Sequence, residues 1–158
     1  QAQEREIGEA IEAGRSARGT ADSILSSLHS AGSWGTFDLL GGGLVADLAK
    51  HSHLDSAQDQ IETLQIQLSR FRTELADVSQ PRVPDLQAGG FTSFADYFFD
   101  GLFVDLYIQD KIGTARRSAE ETAAQVEDLL SQLRRERDRT AERAAELERE
   151  RERLLAGM

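Results

Sequence analysis

Cysteine is absent from this 158-residue chain, and proline occurs only at Pro81 and Pro84. Without cysteine the chain has neither disulfides nor thiolate metal sites, and a redox compartment cannot be read from it. Proline removes a backbone donor and clashes with the preceding helical turn. Its confinement to one short segment therefore permits long, uninterrupted helices on both sides.

Long apolar runs are also missing. No stretch of about 18 apolar residues occurs, so the sequence predicts no membrane-spanning helix. The first residues, Gln1 to Arg5, are polar and do not resemble an apolar signal segment. From these two features we expect a cytoplasmic protein.

Basic residues are outnumbered, with 18 Lys and Arg against 28 Asp and Glu, which gives a net charge of −10. Nucleic-acid binding requires a basic face, and an acidic body is repelled by anionic membrane surfaces. We therefore expect neither nucleic acid nor a membrane as partner. The negative charge is unevenly distributed, because residues 134–153 hold eight Arg and seven acidic residues and are nearly neutral.

Heptad patterns dominate what is present. Near the N-terminus, apolar or small residues recur at heptad spacing at Ile7, Ile11, Gly14, Ala17, Ala21, Ile24, Leu25 and Leu28. This pattern predicts a helix over about residues 3–29. Its middle consists of glycine and alanine, so we expect a partner helix to approach closely there.

A second heptad run is the most regular in the chain. Its apolar positions alternate three and four residues apart at Leu54, Ala57, Ile61, Leu64, Leu68, Phe71, Leu75 and Val78. The spacing predicts a coiled-coil helix over residues 53–79. Ser52 and Asp55 form a capping-box pattern that would open this helix.

Local signals divide the rest of the chain. Residues 30–36 have the composition of a turn, and a short, glycine-rich helix is predicted over residues 36–51. A connector at residues 80–91 holds both prolines, and a helix over residues 93–155 follows it. That helix would span roughly 90 Å at 1.5 Å per residue. We interpret residues 1–158 as a single helical domain.

The predicted C-terminal helix changes character along its length. Residues 91–107 contain seven of the ten aromatic residues and favour a buried core over a lipid or ligand patch. The apolar positions narrow to one stripe by Leu133, and an Arg/Glu-rich segment follows. That segment is either a single helix held by ion pairs between residues three and four apart, or a seam for another chain. The expected pairs are Arg134–Asp138, Glu136–Arg139 and Glu148–Arg151.

Together these elements predict an all-α fold: an elongated, antiparallel, coiled-coil-like helical hairpin or bundle with one very long C-terminal helix. In this arrangement residues 54–78 run antiparallel to about 92–116. The first helix lies along about 128–155, and residues 36–51 cover the stretch between.

One polar cluster stands out. Asp47 and His51 share a helical face with His53 nearby, and Asp105 falls within an apolar stripe, where a carboxylate is costly unless paired. These four residues are candidate ligands for a divalent metal. The alternative is a structural contact in which Asp105 pairs with Lys50, His51 or the Trp34 indole.

Catalytic patterns are not evident. The triple glycine at residues 41–43 lacks the lysine of a phosphate loop, and no Ser/His/Asp arrangement stands out. We therefore predict a non-enzymatic helical interaction or scaffold protein that forms a homodimer and has no cofactor. The alternative is a metal-binding helical bundle or metal-dependent enzyme that uses the His/Asp cluster.

Overall fold

A computed structural model describes the backbone of residues 2–38, 43–79 and 112–158, and the side chains of residues 2–29, 59–78 and 116–158. This part of the chain is 98% helical and contains no strand, which confirms the all-α prediction. It comprises α1 (Ala2–Asp38), α2 (Gly43–Ser79) and α3 (Ile112–Ala156).

Helix α1 is longer than the sequence pattern indicates. It continues through residues 30–36, so the predicted turn there, and a helix end at residue 29, are wrong. Gly32 and Gly35 lie inside the helix, where each costs about 1 kcal/mol relative to alanine. Glycine weakens a helix without forbidding it, and the segment lacks the proline that would break the backbone hydrogen bonds.

Helix α2 is continuous where two helices were expected. Residues 36–51 and 53–79 are not separate helices, because α2 runs unbroken from Gly43 to Ser79. Ser52 therefore lies in the interior of a helix, and the capping box predicted to open a helix there is wrong. Neither glycine nor proline occurs from Leu44 to Val78, and an interior serine costs only a few tenths of a kcal/mol.

Helix α3 ends close to the predicted position. It runs to Ala156, and the Gly157 N–H donates to the Arg153 carbonyl at 3.0 Å. Three predictions for the region before α3 lie largely outside the described residues. They are the helix start at residue 93, the connector at 80–91 and the pairing of 54–78 with 92–116. The same holds for the aromatic segment and for the glycines at 41 and 42.

The core of the described residues is formed by one stripe from each helix. Its buried apolar members are Ile7, Ala10, Ile11, Ala13, Ala17, Ala21, Ile24 and Leu28 of α1; Ile61, Leu64, Leu68, Phe71, Leu75 and Val78 of α2; and Ala119, Ala123, Val126, Leu129, Leu130 and Leu133 of α3. The heptad stripes from Ile7 to Leu28 and from Ile61 to Val78 are confirmed. The pattern had not included Ala10, Ala13, Ala123 and Leu129.

At Gly14 all three helices lie close together. A Cβ atom on this residue would lie 2.8 Å from Leu130 Cδ2 and 2.9 Å from Phe71 Cε2. Only a residue without a side chain allows both to lie against the backbone of α1. The expected close approach at the small-residue stretch of α1 is confirmed.

The contacts that α1 makes with α2 and with α3 follow the same order along the chain. Gly14 lies against Phe71 of α2, and further along α1 the Ser27 hydroxyl donates to Gln60 Oε1 at 3.2 Å. Later residues of α1 thus meet earlier residues of α2. Towards α3 the order is the same, because Gly14 meets Leu130 and Arg18 meets Glu127.

The predicted position of α1 on the C-terminal helix needs correction. The buried residues of α3 lie at 119–133, not along 128–155, and every residue from 141 to 158 is exposed. Arg18 is level with Glu127, so Ala2 is level with about residue 143 of α3. The register set by Gly14 and Arg18 leaves the last turns of α3 uncovered by α1.

Candidate functional site

One row of α3 passes from buried to exposed without leaving its face of the helix. It consists of residues seven apart: Ala119, Val126, Leu133, Thr140, Leu147 and Leu154. The first three are fully buried, whereas Leu147 is 59% exposed and Leu154 is 67% exposed. Seven residues of an α-helix fall only about 20° short of two full turns. The exposed leucines therefore continue the face that packs against α1.

We call the exposed end of this face the distal surface, formed by Ala144, Leu147, Arg151, Leu154 and Leu155. Leu155 is 60% exposed. Single exposed apolar residues are normal on proteins, whereas a contiguous patch marks an interaction site. Leu147, Leu154 and Leu155 lie within nine residues of one helix, and each is at least 59% exposed. The exposed helical residues 141–156 span about 24 Å, enough for a short helix–helix contact.

Ion pairs between residues three apart stabilise the second half of α3 as a helix. The carboxylates of Glu136 and Glu148 pair with Arg139 at 3.6 Å and Arg151 at 3.1 Å, as predicted. Pairs three residues apart contribute about 0.2–0.5 kcal/mol each to an isolated helix. These ion pairs therefore stabilise the helical segment that carries the distal surface.

The predicted Arg134–Asp138 pair is replaced by a contact with Glu127. Arg134 Nη1 donates to Glu127 Oε1 at 3.1 Å, and Arg18 Nη1 donates to Glu127 Oε2 at 3.3 Å. Glu127 is drawn to both guanidinium groups because it lies at the junction of α1 and α3. A carboxylate that accepts from two arginines gains two charge-assisted hydrogen bonds.

Arg18 completes this junction with contacts on both helices. Its Nη1 also donates to the Ala123 carbonyl at 3.3 Å, and its Nε donates to Asp22 Oδ1 at 3.2 Å. The guanidinium thus bridges α1 and α3 next to the core and fixes their register. Sequence reasoning missed this group, since no local pattern links residues more than 100 positions apart.

The predicted metal site lies outside the described side chains. Asp47, His51 and His53 fall within the backbone range of α2, and Asp105 lies outside the described residues altogether. The suggested partners of Asp105, Lys50 and Trp34, belong to the same undescribed set of side chains. In the part that the structure describes, no group of three or more His, Asp or Glu residues is placed to hold a metal ion. The metal site stays a prediction, and elemental analysis of protein purified without chelator tests it.

Two further findings bear on function. Within the described helices, no segment is both long enough and apolar enough to cross a membrane. Comparison of the chain with protein-family models, with curated proteins and with solved structures yields no match. A functional proposal for this chain therefore rests on its own surface, above all on the distal surface of α3.

Proposed function

We propose that this protein is a non-enzymatic helical interaction or scaffold module that associates with a second copy of itself through the distal surface of α3. The observation that carries the proposal is the uninterrupted row from Val126 and Leu133, buried against α1, to Leu147 and Leu154, exposed. In the first half of α3 this face packs against another helix. The same face in the second half therefore favours packing against a helix as well.

The proposal includes a finer description of the fold. We infer that α1 runs antiparallel to both α2 and α3, with coiled-coil-like seams. Support comes from the reversed order of the contacts that Gly14, Ser27 and Arg18 make with the two helices. It also comes from α2, whose fully buried positions from Ile61 to Val78 alternate three and four apart. The resulting shape is elongated, with the distal end of α3 projecting beyond α1.

Burial of the distal leucines supplies the driving force for association. Complete burial of a leucine side chain contributes about 1.5–3 kcal/mol relative to exposure. Leu147 and Leu154 are each more than half exposed, so burying both leucines on each copy adds several such contributions to the free energy of association. The entropy lost on association offsets part of this gain. We therefore expect a reversible dimer rather than a permanent one.

Charge distribution favours a second copy at this position. Two chains of net charge −10 repel each other over most of their surfaces. Residues 134–153, with eight Arg and seven acidic residues, are nearly neutral, whereas the chain as a whole is strongly acidic. Copies that meet through this segment bring together the parts that repel least.

Static light scattering of the full chain tests the proposal. At concentrations on the order of tens of micromolar we expect a mass of twice 17.4 kDa, and the monomer mass on dilution. The double variant Leu147→Ser/Leu154→Ser should stay monomeric with unchanged helix content by circular dichroism. Ile66→Ser is the matched control, because Ile66 is 73% exposed on α2, away from the distal surface. A wild-type monomer at tens of micromolar would overturn self-association.

A further inference from the structure

The charges of the distal surface carry a symmetry of their own. Residues 147–154 read Leu-Glu-Arg-Glu-Arg-Glu-Arg-Leu. In reverse order each leucine coincides with a leucine, each glutamate with an arginine and each arginine with a glutamate. A helix with this pattern is complementary in charge to a reversed copy of itself, and the centre of symmetry lies between Glu150 and Arg151.

We propose that the second copy docks antiparallel on the distal surface, with the two-fold axis passing between Glu150 and Arg151. This inference rests on the proposed self-association and adds its orientation and register. Leu147 is then level with the partner's Leu154, and Arg151 with the partner's Glu150. The two-fold axis repeats both contacts, so four leucines flank a central pair of ion pairs.

A parallel, in-register pair is disfavoured by the same residues. It would set Glu150 against Glu150 and Arg151 against Arg151, the two charged residues that lie between the leucines on the facing side of the helix. Like charges placed opposite one another at an interface suppress that arrangement. The antiparallel register replaces both of these clashes with an attraction.

The exposed length of α3 accommodates this register. Residues 143–158 of the two copies overlap, and all of them lie within the exposed segment 141–158. The antiparallel orientation also sends the two acidic helical cores to opposite ends of the contact. Arg151 is available to the partner, because its side chain is 67% exposed while it pairs with Glu148 on the same helix.

Cysteine cross-linking of the full chain tests orientation and register directly. The chain has no cysteine of its own, so single variants give unambiguous disulfides. We expect Leu147→Cys mixed with an affinity-tagged Leu154→Cys to form the mixed disulfide under mild oxidation. Either variant alone should form little, because seven residues separate like positions by about 10 Å, beyond disulfide reach.

Each alternative result has a distinct meaning. Self-linked dimers of both single variants, without excess of the mixed disulfide, would show a parallel pair and overturn the orientation. A dimer by light scattering without disulfide in any mixture would overturn the register and leave self-association intact. A monomeric wild-type chain would overturn the proposed function itself.

A charge exchange provides a second test that does not alter the leucines. Arg151→Glu should weaken the dimer by about tenfold, equivalent to about 1.4 kcal/mol, because it sets glutamate against glutamate across the axis. Exchanging both residues, Glu150→Arg with Arg151→Glu, should restore the affinity, since each charge again meets its opposite. Loss of affinity without restoration, at unchanged helix content, would contradict the antiparallel register.

Discussion

The two halves of α3 carry the same heptad row and differ in what covers it. Between residues 119 and 133 the row is buried against α1, and between 141 and 158 it is exposed. The row keeps its heptad spacing, while the positions beside it change from apolar residues such as Leu129 and Leu130 to the Arg/Glu-rich segment. The difference arises because the contacts of Gly14 and Arg18 place the first residues of α1 level with about residue 143 of α3, so that α1 does not reach the distal leucines.

This comparison separates stability from recognition within one helix. A leucine of the proximal half contributes to folding of the chain that contains it. Under the proposed self-association, a leucine at the same heptad position in the distal half contributes only when a second copy binds. Variants at matched heptad positions therefore distinguish the two roles.

The largest contrast is expected between Leu133→Ala and Leu147→Ala. Leu133 is fully buried, so its truncation should lower the free energy of unfolding by about 2–5 kcal/mol. Leu147→Ala should change it by less than about 0.5 kcal/mol at dilutions where the chain is monomeric. Urea denaturation of both variants measures the difference. Equal losses would show that the distal half is covered by its own chain.

A smaller contrast is expected between glycines of α1. Gly14→Ala places a methyl group within 3 Å of Leu130 and Phe71, so we expect a loss of about 1–2 kcal/mol despite better helix propensity. Gly8→Ala and Gly19→Ala should instead stabilise by up to about 1 kcal/mol, since nothing lies within 4 Å of the added carbon. Thermal unfolding ranks the three variants. Stabilisation by Gly14→Ala would show that the close approach of α1 is not required.

The smallest contrast concerns the ion pairs. Glu127→Gln removes the charge shared by Arg18 and Arg134 and should cost about 1 kcal/mol, allowing for the partial exposure of all three side chains. Glu120→Gln, which breaks the exposed pair with Arg116 at 3.7 Å, should cost less than about 0.5 kcal/mol. Denaturation at low and high salt checks both values. Equal costs would show that the Arg18 junction does not fix the register.

The sequence predicted the faces of the helices well and their ends poorly. The stripes of α1 and α2 follow from heptad spacing, which depends only on the helix itself. The predicted turn at residues 30–36 and the cap at Ser52 rested on local composition, which a continuous helix tolerates at a cost of about 1 kcal/mol per glycine and less per serine. Local signals of that size interrupt neither of the two 37-residue helices.

The position of α1 along α3 could not be predicted from the sequence, for a different reason. It depends on Gly14 meeting Leu130 and on Arg18 meeting Glu127, contacts between residues more than 100 positions apart. The Arg/Glu-rich segment had been interpreted as either a self-supporting helix or a seam. The observed pairs at Glu136 and Glu148 support the first, and the exposed leucines support the second. The two descriptions are compatible.

Amide hydrogen exchange at several protein concentrations tests the central claim most directly. Protection of residues 119–133 should be independent of concentration, because α1 covers them in every molecule. Protection of residues 141–156 should be weak at high dilution and should rise as the dimer forms, since opening of an uncovered helix end requires little free energy. Distal protection that is the same at every concentration, whether strong or weak, would contradict a distal surface that is covered by a second copy.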